Sequence, residues 1–508
     1  MHNPLKCNHI MENKFIKTLL TACCMLVSYG LVATCYMAKQ DEQVLNVTSF
    51  GAIRNDDTDD RAAIQACIDK AADAKRVCYI PAGRYIINGD LWLPSGVTMK
   101  GDGGKSVLDF KKGALRILKN KLKEFSYTNN YNNEIVPGEQ LAALRAGANS
   151  GATSLRLENA GSIAVGDLIY IYNNKRDSWT VLEDKSKTAL WNSPGTEMAR
   201  KELFIVKGKQ GNTLVLDQPL KFSYKQGATV GRHVGAQQVT VTDLAISNYA
   251  APYAVMLEQP RQVILKNLHM DANGGILLSH MAYKCQVLNC NINVTKNRAI
   301  LVENFSAGNL VSNNTVNYTT GGDAAIMALM CSYDNTITEN KVTGHGTRGT
   351  DEGGIFIHAL CYGNKVYNNT ITGTAEGVGA YYGAMDNEFY NNSIKGVRVG
   401  IISYYARNND FYKNDIVIQT LRAGNTVGAL IFCSDGITLT GNTISGNILF
   451  GVQLQASNAC RVAGNNIQGI SPEKYSFGIK VIPGKNKGAE NQLGNNRINK
   501  VKTPVATQ

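Results

Sequence analysis

The strongest pattern in the chain is an alternation of apolar and polar residues that recurs eight times between residues 285 and 467. Typical copies read NTITENKV and NKVYNNTI, with Asn at the sixth place of all copies but one. Alternation with a period of two is typical of β-strands, and self-similarity every 22–29 residues is typical of a solenoid. The sixth places are Cys290, Asn314, Asn340, Asn369, Asn392, Asn414, Asn442 and Asn465.

A second alternating segment follows each copy and begins with Gly or Ala, as in GIFIHAL (354–360) and GIISYYA (400–406). Its second and fourth residues are mostly aliphatic and are expected to point inward, whereas its third and fifth point outward. Asn at a fixed place predicts a tight turn, because Asn tolerates the left-handed conformation and its amide can bond the Asn of the next coil. These patterns predict an all-β chain, a parallel β-helix of about ten coils with the Asn column lining one turn.

The composition adds a basic charge to this picture. The 508 residues carry a formal net charge of +12, which favours an anionic partner such as nucleic acid, a membrane surface or a uronic-acid polysaccharide. No Lys/Arg-rich block or interleaved aromatic platform is present, which argues against nucleic acid. No CxxC pair is present either, so a structural zinc site is not expected.

The N-terminus predicts export. Residues 1–38 hold a basic segment from Met11 followed by the apolar run TLLTACCMLVSYGLVA, the order found in secretory signals. Cys23 follows Leu-Thr-Ala and Cys35 follows Val-Ala-Thr, so either could be a lipid-anchored first residue; an uncleaved membrane anchor is the alternative. The expected location is the periplasm, the outer membrane as a lipoprotein, the cell surface or the medium.

Residues 45–112 carry a more specific resemblance. FGA, the acidic turn DDTDD, a helix from Asp60 to about Ala74 and YIPAG-Y-I are similar to the N-terminal segment of the pectate-lyase-like superfamily. That superfamily of right-handed parallel β-helix proteins includes polysaccharide lyases, polygalacturonase-type hydrolases, alginate epimerases and phage tailspike depolymerases. The resemblance implies that the helix caps the solenoid end and covers its exposed strand edges. It implies the fold more strongly than the reaction, because one fold hosts several chemistries.

Residues 113–235 interrupt the repeat and predict a small β-rich insertion before the main coils at 236–500. Alternating strands with Gly-Asp and Gly-Asn turns flank a polar stretch at 174–199 that contains Trp179 and Trp191. A Trp in a polar loop suits stacking on a sugar ring, although simple packing of the insertion onto the solenoid accounts for it equally well.

Candidate chemistry is concentrated between residues 303 and 407, beside the three longest turns of the repeat. Insertions on one edge of a solenoid commonly build a binding wall. Counting outward positions predicts one column with Asp323, Glu352 and Arg398 and a second with Glu303, His358, Tyr381 and Tyr404. The same region adds His345, Arg348, Asp351 and Arg407 as candidate substrate-binding residues.

Three functions fit these residues. In β-elimination on an acidic polysaccharide such as pectin, alginate or a glycosaminoglycan, Arg398 would neutralise the carboxylate while His358 and Tyr381 or Tyr404 transfer protons. In glycoside hydrolysis, Asp323 and Glu352 would form the carboxylate pair. A non-catalytic surface glycan-binding protein is the third. Lyases of the superfamily more often use Lys or Arg as base, sometimes with Ca²⁺, and no motif here indicates a cofactor. We expect elimination.

Overall fold

The structure is a computed structural model that describes residues 44–118, 139–173, 201–318, 324–344, 353–419, 425–470, 476–484 and 490–507. The chain divides into two units, Met1–Leu45 and Asn46–Gln508. Only residues 44–45 of the first unit are described, as the start of the strand Val44–Asn46. The second unit is a parallel β-helix, in which each coil contributes one strand to each of three sheets.

We name the three parallel sheets A, B and C in the order in which the chain enters them. In the described part of the second unit, each sheet has thirteen complete strands, so about ten coils was too low an estimate. The strands of sheet A are Val77–Ile80, Thr98–Gly101, Thr240–Thr242, Ile264–Lys266, Gln286–Leu288, Leu310–Ser312, Thr336–Thr338, Lys365–Tyr367, Glu388–Tyr390, Asp410–Tyr412, Thr438–Thr440, Arg461–Ala463 and Gln492–Leu493. The strands of sheet B are Gly83–Asn88, Ser106–Lys112, Ala245–Asn248, His269–Ala272, Asn291–Val294, Thr315–Tyr318, Lys341–Gly344, Thr370–Thr372, Ser393–Val397, Asp415–Ile418, Thr443–Gly446, Asn466–Gly469 and Arg497–Asn499. The strands of sheet C are Leu91–Leu93, Leu115–Ile117, Val255–Glu258, Ile276–Ser279, Ile300–Val302, Ala324–Ala328, Gly353–Ile357, Glu376–Tyr381, Val399–Tyr404, Val427–Phe432, Phe450–Gln455, Phe477–Ile482 and Thr503–Thr507.

The turn between sheets A and B contains the predicted Asn column. Asn340 Nδ2 donates to Asn369 Oδ1 at 3.0 Å, and Asn369 Nδ2 donates in turn to Asn392 Oδ1 at 3.0 Å. Each amide also donates to a main-chain carbonyl of the preceding coil, as Asn369 does to Ile337 at 3.0 Å. The stacking of these residues in successive coils is therefore confirmed, and every side chain in the column is buried.

The left-handed conformation falls one residue earlier than expected. The residue before each ladder Asn, not the Asn itself, has positive φ, as in Glu339 (58°), Asn368 (55°) and Asn391 (53°). The ladder Asn is free to use its amide for stacking because its neighbour makes the turn. The first place of five consecutive repeats forms a second ladder of the same kind, through Asn309, Asn335, Asn364, Asn387 and Asn409.

A helix at Arg61–Ala74 caps the N-terminal end of the solenoid, as the resemblance implied. Its buried residues, Ile64, Cys67, Ile68 and Ala71, recur at helical spacing, and the helix contacts the first strand of each sheet. Asp60, which precedes it, accepts hydrogen bonds from the main-chain N–H groups of Ile53 and Ile86. Two short 3₁₀ turns, Val47–Phe50 and Gly103–Lys105, complete the helical elements described.

The segment between the first and the main coils forms an antiparallel sheet of six strands in its described residues, which we call the insertion sheet. Their spatial order is Glu139–Ala143, Thr229–Arg232, Leu168–Tyr172, Lys201–Gln210, Thr213–Leu216 and Ser154–Arg156. Residues Leu115–Ile117 still belong to sheet C, so the solenoid continues beyond the boundary expected at residue 113.

The insertion sheet packs on the outward face of sheet C. Tyr170 and Leu203 belong to the same buried cluster as Leu277, Leu301 and Met327, which point outward from successive coils. Leu203 N donates to the Tyr333 hydroxyl at 2.7 Å, and Lys221 forms an ion pair with Asp334 at 2.5 Å. Part of the face expected to carry substrate is therefore buried inside the protein.

Candidate functional site

The outward face of sheet C is partly open beyond the insertion sheet, and there the predicted second column continues. Register pairs Tyr381 with Tyr404 and Tyr404 with Phe432 in successive coils. His358 follows Ile357, which pairs with Ala380, so His358 lies one coil before Tyr381 in the same column. His358, Tyr381, Tyr404 and Phe432 are all half-buried on the outward face of sheet C. We call the strip of surface around these four side chains the groove.

The Tyr381 ring occupies the space that a side chain at position 379 would fill, because that residue is glycine. A Cβ atom on Gly379 would lie 2.4 Å from Cε2 of the Tyr381 ring, so the ring rests directly on the glycine backbone. The ring packs on Phe356 with centroids 4.7 Å apart. In this position the Tyr381 hydroxyl donates a hydrogen bond of 2.8 Å to Oε2 of Glu376, at the start of the same strand.

Glu376 also contacts Arg398, one coil further along. Nη2 of Arg398 lies 3.2 Å from Oε1 of Glu376, and Nη1 donates to the Asn425 carbonyl at 3.4 Å. The side chains are 22% and 12% exposed, so the pair is partly shielded from water and still reachable from the groove. Arg398, which the sequence predicts to neutralise a substrate carboxylate, already has a protein carboxylate as a partner.

The sequence analysis missed Glu376, although a signal was present. The predicted column with Asp323, Glu352 and Arg398 lies two residues before the Gly or Ala of each strand, and that place is Ala375 in this coil. Glu376 stands one residue before Gly377, in the outward column of Gly353 and Val399. A search of both places before each Gly would have found it.

His358 lies against the aromatic groups of the next coil. Its ring centroid is 5.6 Å from Tyr381 with nearly parallel planes and 4.9 Å from Tyr382 with its edge toward the ring. Burial, with a smaller effect of the Arg298 cation, lowers the pKa of His358 to about 3. At neutral pH the imidazole is therefore uncharged and can accept a hydrogen bond.

Tyr404 is the next member of the column, one coil beyond Tyr381. Its ring stacks on Phe432 with centroids 4.9 Å apart and meets Tyr405 edge-on at 4.7 Å. Burial, followed by the neighbouring Tyr382 and Cys433, raises the pKa of Tyr404. The phenol therefore keeps its proton at neutral pH, as a proton donor must.

Glu303 belongs to the predicted column but is only 6% exposed. Its Oε1 accepts a hydrogen bond of 3.0 Å from the Ser279 hydroxyl, which is also 2.7 Å from Nδ1 of His280. Burial raises the pKa of Glu303 to about 7, against smaller lowering effects of Ser279 and Arg298. The expectation that Glu303 contacts substrate from the outward face does not fit this position, because the side chain is buried.

The other predicted residues fall away from the groove or outside the described residues. Arg407 is exposed in the turn after sheet C, stacked between Met385 and Asp435 of adjacent coils. The following predicted residues lie outside the described residues: Asp323, Glu352, His345, Arg348, Asp351, Trp179 and Trp191.

Metal sites and membrane-spanning helices are considered next, for the same described ranges. Among the described residues, no group of three or more His, Cys, Asp or Glu side chains is arranged to hold a metal ion. None of the helices in the described ranges is long and apolar enough to cross a membrane.

The fold defines the class of protein: a right-handed parallel β-helix, similar to the pectate-lyase-like superfamily. Residues 44–277 match a family model described as rhamnogalacturonase A/epimerase, pectate lyase-like, which confirms the resemblance found in the sequence. Residues 192–379 match a second model, described as periplasmic copper-binding protein NosD.

Individual relatives are distant. Mannuronan C5-epimerase AlgE1 of Azotobacter vinelandii is 40% identical over 80 residues, which cover 14% of this chain and 6% of the epimerase. The tailspike gp61 of Pseudomonas phage phi297 is similar over 91% of this chain and 81% of its own, with a TM-score of 0.51 and 16% identity. The tailspike gp49 of Pseudomonas phage LKA1 covers 91% and 79%, with a TM-score of 0.46 and 13% identity. The likeness to the phi297 tailspike supports the fold of this chain, and at 16% identity it says nothing about the roles of the residues in the groove.

Proposed function

We propose that this protein cleaves an acidic, uronic-acid-containing polysaccharide by β-elimination in the groove around Tyr381. The observation that supports this most directly is the Tyr381 hydroxyl, 2.8 Å from a Glu376 carboxylate that Arg398 also contacts. A phenol hydrogen-bonded to a carboxylate can accept a proton from carbon while passing its own proton on, which is the first requirement of elimination.

The proposed reaction involves three proton transfers. The phenol oxygen of Tyr381 takes the proton from C5 of the uronate as its own proton passes to Oε2 of Glu376. The electron pair left at C5 forms the C4=C5 double bond, and the bond from C4 to the glycosidic oxygen breaks. Tyr404, which keeps its proton at neutral pH, donates to that leaving oxygen.

Arg398 and His358 would support this transfer. The N–H groups of Arg398 not used by Glu376 and Asn425 can contact the uronate carboxylate, whose charge grows as C5 loses its proton. The neutral His358 ring, stacked beside Tyr381, can accept a hydrogen bond from a sugar hydroxyl. The net charge of +12 favours an anionic polymer as substrate.

C5-epimerisation is the second candidate, because it begins with the same proton removal and the sequence match to a mannuronan C5-epimerase favours it. In that case a proton returns to C5 from the opposite face and no bond to oxygen breaks. Hydrolysis would use a pair of carboxyl groups, and the pair expected for it, Asp323 and Glu352, lies outside the described residues.

The test is incubation with a panel of acidic and neutral polysaccharides, followed by three readouts. Elimination produces absorbance near 232 nm from the new double bond on an acidic polymer. Epimerisation changes the NMR signals of the anomeric protons with neither absorbance nor new reducing ends, and hydrolysis produces reducing ends without absorbance. Binding with no product would favour a non-catalytic glycan-binding protein and would contradict the proposal.

Export belongs to the same proposal, since polymeric substrates lie outside the cell. The basic and apolar order of residues 11–38 supports it, with Cys23 or Cys35 as the lipid-anchored residue. Cell fractionation of the full chain beside its Cys23→Ser and Cys35→Ser variants would test both points, because loss of the anchor would release the protein from the membrane fraction.

A further inference from the structure

The groove does not end at Tyr404. Sheet C continues for four more strands. On its outward face Leu430, Phe432, Gln455, Phe477 and Lys480 are partly exposed, and Phe450 and Gln453 are buried between them. Register places Gly379, Ile402, Leu430, Gln453 and Lys480 in one column. The Tyr381 ring lies over Gly379, at one end of these five residues, and Lys480 is at the other end. Both side chains therefore lie on the same side of the solenoid.

Lys480 is a positioned cation. Its Nζ lies 4.8 Å from the ring centroid of Phe477 and 5.5 Å from that of Phe450, and the two rings stack on each other at 5.6 Å. Within the described residues Lys480 has no carboxylate at ion-pair distance, unlike Arg398. Two aromatic faces hold an ammonium group in place without neutralising it, so Lys480 presents its charge at a half-buried surface.

The spacing along the axis matches an extended chain. Lys480 lies four coils beyond the strand of Tyr381, and parallel strands about 4.8 Å apart put the two sites roughly 19 Å apart. A polysaccharide lying along the axis would cover this distance with several sugar residues. Between the two sites the buried Gln453 donates to Gln455 at 3.0 Å, and the partly exposed Gln455 has an amide of the kind that bonds sugar hydroxyls.

We infer that Lys480 forms a distal subsite that binds a carboxylate of an acidic polysaccharide whose reacting sugar lies at Tyr381. The inference rests on the proposed function for the class of polymer and adds the direction in which the polymer lies. The polymer would therefore extend from Tyr381, beside the insertion sheet, toward the C-terminal coils. An oligosaccharide too short to reach Lys480 would leave the distal subsite empty.

The test is binding as a function of chain length. Oligogalacturonates and oligomannuronates of two to eight residues are titrated calorimetrically into the full chain carrying Tyr381→Phe. This substitution should slow cleavage, so that the oligosaccharides remain intact during the titration. Adding Lys480→Gln should weaken binding of the longest acidic oligosaccharides by about tenfold or more, the value of a hydrogen bond to a charged group, and leave the dimer and trimer unchanged. Lys480→Arg should keep most of the affinity.

The matched control is Lys266→Gln, which removes an exposed charge of the same kind from sheet A. It should change none of the affinities. If long acidic oligosaccharides bind and Lys480→Gln leaves their affinity unchanged, or lowers it equally at every length, the distal subsite is wrong while the proposed function stands. If no acidic oligosaccharide binds at any length, the substrate class is wrong and the subsite with it.

Discussion

The absence of a side chain at Gly379 gives the sharpest test of how the groove is built. In Gly379→Ala the added Cβ atom would lie 2.4 Å from Cε2 and 3.2 Å from Cζ of Tyr381. Carbon atoms prefer separations of about 3.5 Å or more, so the ring has to move by about 1 Å or change rotamer. Either movement takes the phenol out of reach of Oε2 of Glu376, now 2.8 Å away.

The expected effect falls on turnover rather than on folding. A displacement of about 1 Å in a positioned reacting group lowers the rate by about 10²-fold, so kcat on the acidic polymer should fall by that factor. The free energy of unfolding should change by only about 1 kcal/mol, because Gly379 is in a strand where Ala is acceptable and Glu376 keeps Arg398 as a partner when it loses the Tyr381 hydroxyl.

The assay is the initial rate of absorbance at 232 nm at saturating polymer, beside a denaturant titration. Gly208→Ala is the control, since its Cβ would make only ordinary contacts at 3.5 Å with Val215 in the insertion sheet. The double variant of Gly379→Ala and Tyr381→Phe should be no slower than Tyr381→Phe alone, because both changes act through one hydroxyl. Wild-type turnover in Gly379→Ala, or additive losses in the double variant, would refute the reasoning.

Two further predictions concern buried polar groups. Asn369→Ala removes five side-chain hydrogen bonds: those that Asn369 donates to Ile337, Tyr367 and Asn392, and two that it accepts from Asn340. The free energy of unfolding should fall by about 3–4 kcal/mol. The outward Asn317→Ala, which loses one hydrogen bond, should lower it by under about 1 kcal/mol, and equal losses in urea titrations would contradict the ladder account. Glu303 has a raised pKa of about 7, so its contribution to stability is complete below its unfolded pKa and is lost as pH rises through about 7. Glu303→Gln should therefore gain stability relative to the wild type between pH 5 and 8, by about 2–3 kcal/mol, and parallel stability curves would show that Glu303 does not titrate there.

The solenoid could be predicted from the sequence because its information is local and repeated. Each Asn of the ladder meets the same residue type one coil away, so a pattern seen once is confirmed by every other copy. The identity of the left-handed residue was not visible in the same way. Glu339 and Lys413 occupy that place as readily as Asn368, because the turn is stabilised by the buried Asn that follows it.

The site was only partly predictable. Alternation placed His358, Tyr381 and Tyr404 in one column, since stacked strands repeat their register. Alternation marks Glu303 as outward but does not show that its side chain is buried, because outward positions can be packed over by segments far away in sequence, as Leu301 is by the insertion sheet. The pairing of Glu376 with Tyr381 depends on the ring lying back over Gly379, which is a side-chain conformation and not a sequence pattern.

The most direct test of the account is the turnover of Tyr381→Phe on the acidic polymer that the wild-type protein cleaves. The change removes one oxygen, the atom that we propose takes the proton from C5, and leaves the ring on Gly379 and Phe356. The account predicts that kcat at 232 nm falls by about 10²-fold or more, the usual contribution of a general acid–base group, with polymer affinity nearly unchanged. Turnover within a few-fold of the wild type would contradict it and exclude Tyr381 from the chemistry.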